Sequence, residues 1–471
     1  MRSPVLLPLR ISLFLFLVST SSFVCAPSPE NFPRGQIIDR VACQADPHQT
    51  YALYLPPHYT PGRKWPILYA FDAGARGRLP VERFKEAAEK YGYIVAGSNN
   101  SRNGPPEPII AAIRALFEDT QARFAINENR VYLTGFSGGA RVAVSVAHSL
   151  RGQVAGVIGC GAGFPSELKP SPSLPFVYFG TAGLEDFNFF EMRQLEEALE
   201  RLKIPHRMAT FEGGHDWPPP RVCLEAVGWM ELQAMKSGLR EINEALLDEM
   251  FRTATEVARL DESSNKVYEA FLEYQALAED FKGLRDVTSS ESRKAQLGKS
   301  KEMRLALKEE REQEEHQDQF RRKFLSLEES YRRTQDRSFV LNELTQEITS
   351  LKRVAGENEN TSGRLVARRV LNLFLVELSQ EAMQHFRVRD YGLAAFKFLL
   401  AAQIKPENPG LFYHLACAYS RDGKKKEALG ALKNAVEKGF TEVETLESDP
   451  DLELIRGDPS FLSILESLKK K

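Results

Sequence analysis

The chain is poor in cysteine. Its five thiols, at 25, 43, 160, 223 and 417, stand far apart with no CxxC pair, which excludes a zinc ribbon and a thioredoxin-type redox site. Neither sign of charge dominates: 62 Lys and Arg face 64 Asp and Glu, a formal net charge of -2. No general surplus of cations exists to neutralise a nucleic-acid backbone. No apolar run reaches the roughly 20 residues that span a bilayer. Proline is absent between Pro220 and Pro406, so long helices can run there without interruption. Neither a Walker-type phosphate loop nor G-x-G-x-x-G after a strand occurs, and no metal or organic cofactor is expected.

What is present is ordinary globular material, 42% hydrophobic and 27% charged over 471 residues, a length that predicts two to four domains. Residues 1–26 carry Arg2 and Arg10, then the apolar run Ile11–Val18, then Val24-Cys25-Ala26. This is the pattern of a secretory signal peptide, and it predicts an extracytoplasmic protein, periplasmic or secreted, starting near Pro27. A lipoprotein leader ending at Cys25 is the rival, but Ser22-Phe23-Val24 lacks the expected Leu and small residue. Cys160, after the apolar run Val157-Ile158-Gly159, and Cys417, within a helical segment, read as packing residues.

From about 48 to 235, short apolar runs alternate with helix-length amphipathic segments. That alternation predicts an α/β fold, a mostly parallel sheet with helices on both faces. The runs read as strands are Thr50–Leu55, Trp65–Phe71, Tyr93–Gly97, Arg130–Thr134, Val154–Cys160, Pro175–Phe179 and His206–Phe211. From 237 to about 365 the strand signal stops. Apolar residues recur at helical spacing, among them Leu246, Met250, Val257, Leu260, Phe271, Tyr274 and Phe281. The charge-rich stretch 294–322 reads as a solvated helix face, and the polar segment from Gly356 to Gly363 as a linker.

The last hundred residues repeat with a period of 34: Ala394, Phe398, Ala401 and Pro406 correspond to Ala428, Leu432, Ala435 and Phe440. The second copy adds Phe412, Leu415, Ala416 and Tyr419 on its first helix and Gly423 at the turn. This segment, 366–471, resembles the tetratricopeptide repeat. The first copy departs from that pattern at His385. The resemblance implies stacked helical pairs that dock a protein partner. The expected organisation is therefore 1–26 signal peptide, 27–236 α/β domain, 237–365 helical connecting domain and 366–471 repeat domain.

Chemistry enters at Gly135-Phe136-Ser137-Gly138-Gly139, which satisfies G-x-S-x-G. The string alone is weak. Its context is specific, because it follows the strand Arg130–Thr134 and precedes an amphipathic helix from Ala140, the strand–turn–helix that a nucleophile elbow requires. Gly135 and Gly139 lack the side chains that would collide with the neighbouring strand and helix, and the N–H of Gly138 points at the reaction centre.

Residues 36–236 thus resemble the alpha/beta-hydrolase fold, and within it the poly-hydroxyalkanoate depolymerase and feruloyl esterase type. The resemblance implies a serine, acid and histidine in that chain order. His215, just beyond the strand ending at Phe211, is the best placed of the eight histidines. The acid should follow the strand Pro175–Phe179, where Glu185 and Asp186 both stand. Many family members carry an Asp three residues after the strand's glycine, a position held here by Gly183. Asp186 is preferred over Glu185 because it is shorter and leads directly into the helix. The second oxyanion donor falls in the loop Asp72–Arg78, at Ala73 or Gly74, with Ala73 preferred. The loop Ser98–Gly104 ends a strand on the same edge and reads equally as a plain Asn-rich turn or as a cleft wall.

These residues predict a serine hydrolase, an esterase with peptidase activity not excluded, acting on a small or polymeric ester with no nucleic-acid partner. The alternative from another class is an extracytoplasmic adaptor whose hydrolase module is idle or secondary, suggested by the unusual acid loop and the long helical region.

Overall fold

The computed structural model describes residues 32–333, 337–357 and 361–469. The expected leader and its cleavage site lie outside the described residues. The described residues form two compact units, divided between Lys308 and Glu309.

The first unit is built on strands β1 (Ile37–Ala42), β2 (Thr50–Tyr54), β3 (Trp65–Asp72), β4 (Ile94–Ser98), β5 (Ile126–Phe136), β6 (Gly156–Cys160), β7 (Val177–Gly183) and β8 (His206–Phe211). They join in one sheet in the order β1-β2-β4-β3-β5-β6-β7-β8. β1 and β2 are antiparallel and β2 is antiparallel to β4; every other neighbouring pair is parallel. Four helices link the strands, α1 (Arg78–Tyr91), α2 (Pro106–Arg123), α3 (Gly138–Ser149) and α4 (Phe189–Arg201), and α5 (Pro220–Lys236) follows the last strand. Pro106 and Pro220 open their helices, where a missing N–H costs nothing.

Side chains alternate between two cores, as the two-residue period of a strand requires. Ile67, Tyr69 and Phe71 of β3 pack with α2, α3 and α4, whereas Leu68 faces α1 and α5. Both faces are covered, so the central strands read as continuous apolar runs. β1 escaped the sequence reading for the opposite reason: it is an edge strand, irregular between Ile38 and Val41, with Asp39 and Arg40 exposed.

The helical region 237–365, expected as one connecting domain, is divided between the two units. Helices α6 (Glu244–Ser263), α7 (Val267–Asp280) and α8 (Thr288–Leu297) close a core with Leu232 and Met235 of α5. Asp280 at the end of α7 accepts from Trp229 Nε1 of α5 at 2.7 Å and from Arg207 of β8 at 3.2 Å. These apolar and ionic ties continue the first unit past 236. Val257 and Leu260, counted in the apolar stripe, are instead exposed.

The division between units falls within α9 (Lys301–Arg333). The second unit continues through α10 (Arg337–Ala355), α11 (Ser362–Arg387), α12 (Tyr391–Ile404), α13 (Pro409–Arg421), α14 (Lys425–Glu437), α15 (Val443–Ser448), α16 (Glu453–Arg456) and α17 (Pro459–Lys469). One core runs from Phe324 of α9 through Leu344 and Ile348 of α10 and Val370 and Phe374 of α11 to Leu465 of α17. The boundary expected at 366 therefore cuts through a packed interior. Lys397 is buried against Glu328 of α9 at 2.8 Å and also pairs with Glu381 of α11. Three of the four pairs related by 34 positions are equivalent in burial, Ala394 with Ala428, Phe398 with Leu432 and Ala401 with Ala435, whereas Pro406 is exposed and Phe440 buried. The four cysteines of the described chain are buried free thiols, and burial pushes Cys160 up to about 12. Among the described residues, no helix is long and apolar enough to cross a membrane.

Candidate active site

Ser137 sits between β5 and α3 with φ 55 and ψ -119, a left-handed backbone that a non-glycine residue adopts at a cost of about 1–3 kcal/mol. The crossing is tight. A Cβ on Gly135 would stand 2.1 Å from the Gly139 carbonyl oxygen, and one on Gly139 would stand 2.0 Å from that of Phe71. Both glycines are thus demanded by backbone contact. Strain at this turn lifts the serine out of the strand direction and points the start of α3 toward the carboxyl edge of the sheet.

His215 arrives on the loop after β8. Its Nε2 lies 2.9 Å from Ser137 Oγ, and its Nδ1 lies 2.9 and 3.0 Å from the two carboxylate oxygens of Asp186. Asp186 has 0% exposure and follows β7. Its N–H donates to the Gly183 carbonyl at 3.0 Å and its Oδ1 accepts from the Asn188 N–H at 2.8 Å. The rings of Phe136 and Phe187 lie with centroids 4.6 and 4.2 Å from that of His215. Three side chains from three strand ends are therefore brought together in one hydrogen-bonded line.

The displaced acid has a physical reason. A Cβ on Gly183 would stand 2.4 Å from the carbonyl oxygens of both Gly213 and Gly214, the residues that carry His215. Position 183 has no room for an aspartate, and the loop runs three residues further before a carboxylate turns inward. Glu185 instead donates its N–H to the Gly213 carbonyl at 2.8 Å.

The two candidates for the second oxyanion donor, Ala73 and Gly74, differ in how they are used. The Gly74 N–H is taken by Asp72 Oδ1 at 2.8 Å, which leaves Ala73. Ala73 follows Asp72, and Asp72 pairs in register with Phe136, so Ala73 stands level with Ser137. Among the described residues neither the Ala73 nor the Gly138 N–H meets an acceptor.

Asp72, Arg76 and Trp217, to which the sequence reading assigns no role, anchor this loop. Asp72 is buried, receives Arg76 Nε and Nη2 at 2.9 Å each, and accepts Trp217 Nε1 at 2.7 Å. Burial pushes the Asp72 carboxyl up, but the hydrogen bonds from Arg76, Trp217 and Gly74 outweigh it and hold the group below the usual carboxylate range. The pair joins the oxyanion loop to the histidine loop. Asp72→Ala should therefore cost about 1–3 kcal/mol, because the Trp217 N–H stays buried with no acceptor. Urea unfolding checks this, and an unchanged midpoint contradicts it. An aspartate ending a strand and a tryptophan two residues after the histidine were the only signals in sequence.

The loop 98–104 is divided between its two readings. Asn99 and Asn100 brace the β1–β2 region: Asn99 Nδ2 donates to the Asp39 carbonyl, and Asn100 accepts the Thr50 N–H and donates to the His48 carbonyl. Arg102 bridges to Gly74, and the Asn103 N–H donates to the Ala73 carbonyl at 2.9 Å. Only this second half reaches the site. Among the described residues, no group of three or more His, Cys, Asp or Glu could hold a metal ion.

The sequence pattern of the phospholipase/carboxylesterase family matches residues 103–220, a span holding all three side chains. The first unit is an alpha/beta hydrolase of the serine type. Similar solved structures include the fluorophosphonate-binding serine hydrolase F of Staphylococcus aureus, substrate bound, 13% identical over 42% of this chain and 99% of its own, TM-score 0.34. Another is the S-formylglutathione hydrolase of the same organism, 14% identical over 42% of this chain and 98% of its own, TM-score 0.33. A curated relative, a chloroplastic protein of Arabidopsis thaliana, is 32% identical over 75 residues, 16% of this chain and 22% of that protein. The matched stretch thus takes in about a fifth of the relative's length.

Proposed function

We propose that this protein is an exported carboxylic ester hydrolase working through an acyl-enzyme on Ser137, of the poly-hydroxyalkanoate depolymerase or feruloyl esterase type, with a second unit that docks protein. The observation that carries the chemistry is the unbroken line from Asp186 through His215 to Ser137 Oγ, each step 2.9–3.0 Å. Neutral His215 accepts the Ser137 proton at Nε2 as Oγ attacks the ester carbonyl. Buried Asp186 holds the Nδ1–H tautomer and stabilises the imidazolium that forms. The unspent N–H groups of Ala73 and Gly138 receive the oxyanion. His215 then protonates the departing alkoxide and activates the water that frees the acyl group.

For the second unit, the support is the paired burial of Ala394 with Ala428, Phe398 with Leu432 and Ala401 with Ala435, together with the turn at Gly423, whose φ is 78. Small residues let paired helices approach while larger ones fill the gap between pairs, which favours tetratricopeptide-like stacking. Export rests on the leader pattern at 1–26.

Purified protein should release nitrophenolate from p-nitrophenyl esters of short and medium acyl chains. Failure with every chain length would overturn the esterase reading.

A further inference from the structure

Gly138 fills the x position before the last glycine of G-x-S-x-G, where the elbow itself sets no demand on the side chain. Glycine is also a poor helix residue, about 0.5–1 kcal/mol worse than alanine in a helix interior. Unlike its neighbours at 135 and 139, Gly138 is not pressed by backbone. A Cβ there would meet the side chain of Asn103, standing 1.8 Å from Oδ1, 2.7 Å from Cγ and 2.9 Å from Nδ2. The asparagine amide occupies the space a side chain at 138 would need.

Asn103 is set in place by its backbone. Its N–H donates to the Ala73 carbonyl at 2.9 Å, and the adjacent Arg102 bridges to Gly74. One short segment therefore touches both arms of the oxyanion site, Ala73 through the main chain and Gly138 through the amide. The Asn103 side chain is exposed, and among the described residues no group hydrogen-bonds its amide. Asn99 and Asn100, in the same loop, spend their amides on the β1–β2 region. An amide beside the nucleophile with its donors unspent is chemically suited to a substrate oxygen.

We infer that the Asn103 side chain is a third oxyanion donor, its Nδ2–H contacting the ester's carbonyl oxygen as Ser137 adds and negative charge develops there. The inference rests on the acyl-transfer reading above. No bond forms or breaks at Asn103; it is a neutral donor throughout. Gly138 is glycine because the Asn103 amide stands where its Cβ would be, with Oδ1 the nearest atom and the donor Nδ2 2.9 Å from that position.

The experiment is steady-state kinetics of the full-length protein on p-nitrophenyl butyrate with Asn103→Ala, Asn103→Asp, Gly138→Ala and the double variant Asn103→Ala/Gly138→Ala. Asn103→Ala keeps the main-chain N–H, so melting should hold. Its kcat should fall on the order of 10–100-fold with KM nearly unchanged, the pattern of an interaction made in the transition state. Asn103→Asp, close in shape, should lose more, since a carboxylate would face the developing charge. Gly138→Ala displaces the amide, so the double variant should lose less than the sum of the two single losses. A kcat of Asn103→Ala within twofold of the parent, a change in KM alone, or additive losses overturns the inference. If the parent itself neither turns over esters nor labels with a fluorophosphonate at Ser137, it is the acyl-transfer reading that fails.

Discussion

Ser137→Ala should abolish ester turnover, and His215→Ala should do nearly the same. Each loss is expected at about 10⁴–10⁶-fold in kcat, and the double variant should be no worse than the poorer single one, because serine and histidine act as one unit. The geometry explains the size of the effect. His215 Nε2 is the hydrogen-bond partner of Ser137 Oγ at 2.9 Å, so without it the hydroxyl has no base to take its proton. The serine is also the strained residue of its turn, and alanine at the same φ keeps that strain while removing only the oxygen. Circular dichroism and thermal melting of both variants should match the parent. A folded Ser137→Ala that still turns over ester would end the hydrolase assignment.

The second large effect separates two adjacent carboxylates. Asp186→Asn should cost on the order of 10⁴-fold in kcat, because an amide facing Nδ1 no longer fixes the tautomer that leaves Nε2 free to accept a proton. Glu185→Gln should change kcat by less than about threefold, since both oxygens facing the imidazole belong to Asp186. Measured together on one ester, the pair gives an internal control for loop disturbance. Equal losses would mean the 183–188 loop had moved; the reverse order would assign the acid to Glu185.

The parts legible in sequence were those written in local pattern. Alternating apolar runs marked seven of the eight strands, and β8 starts and ends where the sequence placed it, at His206–Phe211. Ser137 and His215 were legible because glycines and strand ends surround them. Asp186 was harder, since its position follows from a contact between Gly183 and the 213–214 backbone that no spacing within the acid loop encodes. Asp72 and Trp217 were invisible for the same reason: 145 residues separate them, and only the folded sheet makes them partners.

Unit boundaries were the least legible part. Helical periodicity shows that 237–365 is helix, but it does not say which core each apolar face joins. Asp280 binding Trp229 and Arg207 ties α7 to the hydrolase sheet, and Phe324 stacking on Phe374 at 4.0 Å ties α9 to α11. The linker read from Gly356 to Gly363 is partly outside the described residues, and α11 begins at Ser362. The unusual acid loop, which had favoured an idle hydrolase module, instead delivers a buried carboxylate to the histidine.

The most direct test of the central claim is to trap the acyl-enzyme. Rapid quenching of the full-length protein with a slowly deacylating p-nitrophenyl ester, followed by intact and peptide mass spectrometry, should show one acyl mass on the peptide holding Ser137. That adduct should appear with the first burst of nitrophenolate and be absent in Ser137→Ala. Ester turnover with no acyl group on Ser137, or with the adduct on another residue, would contradict it.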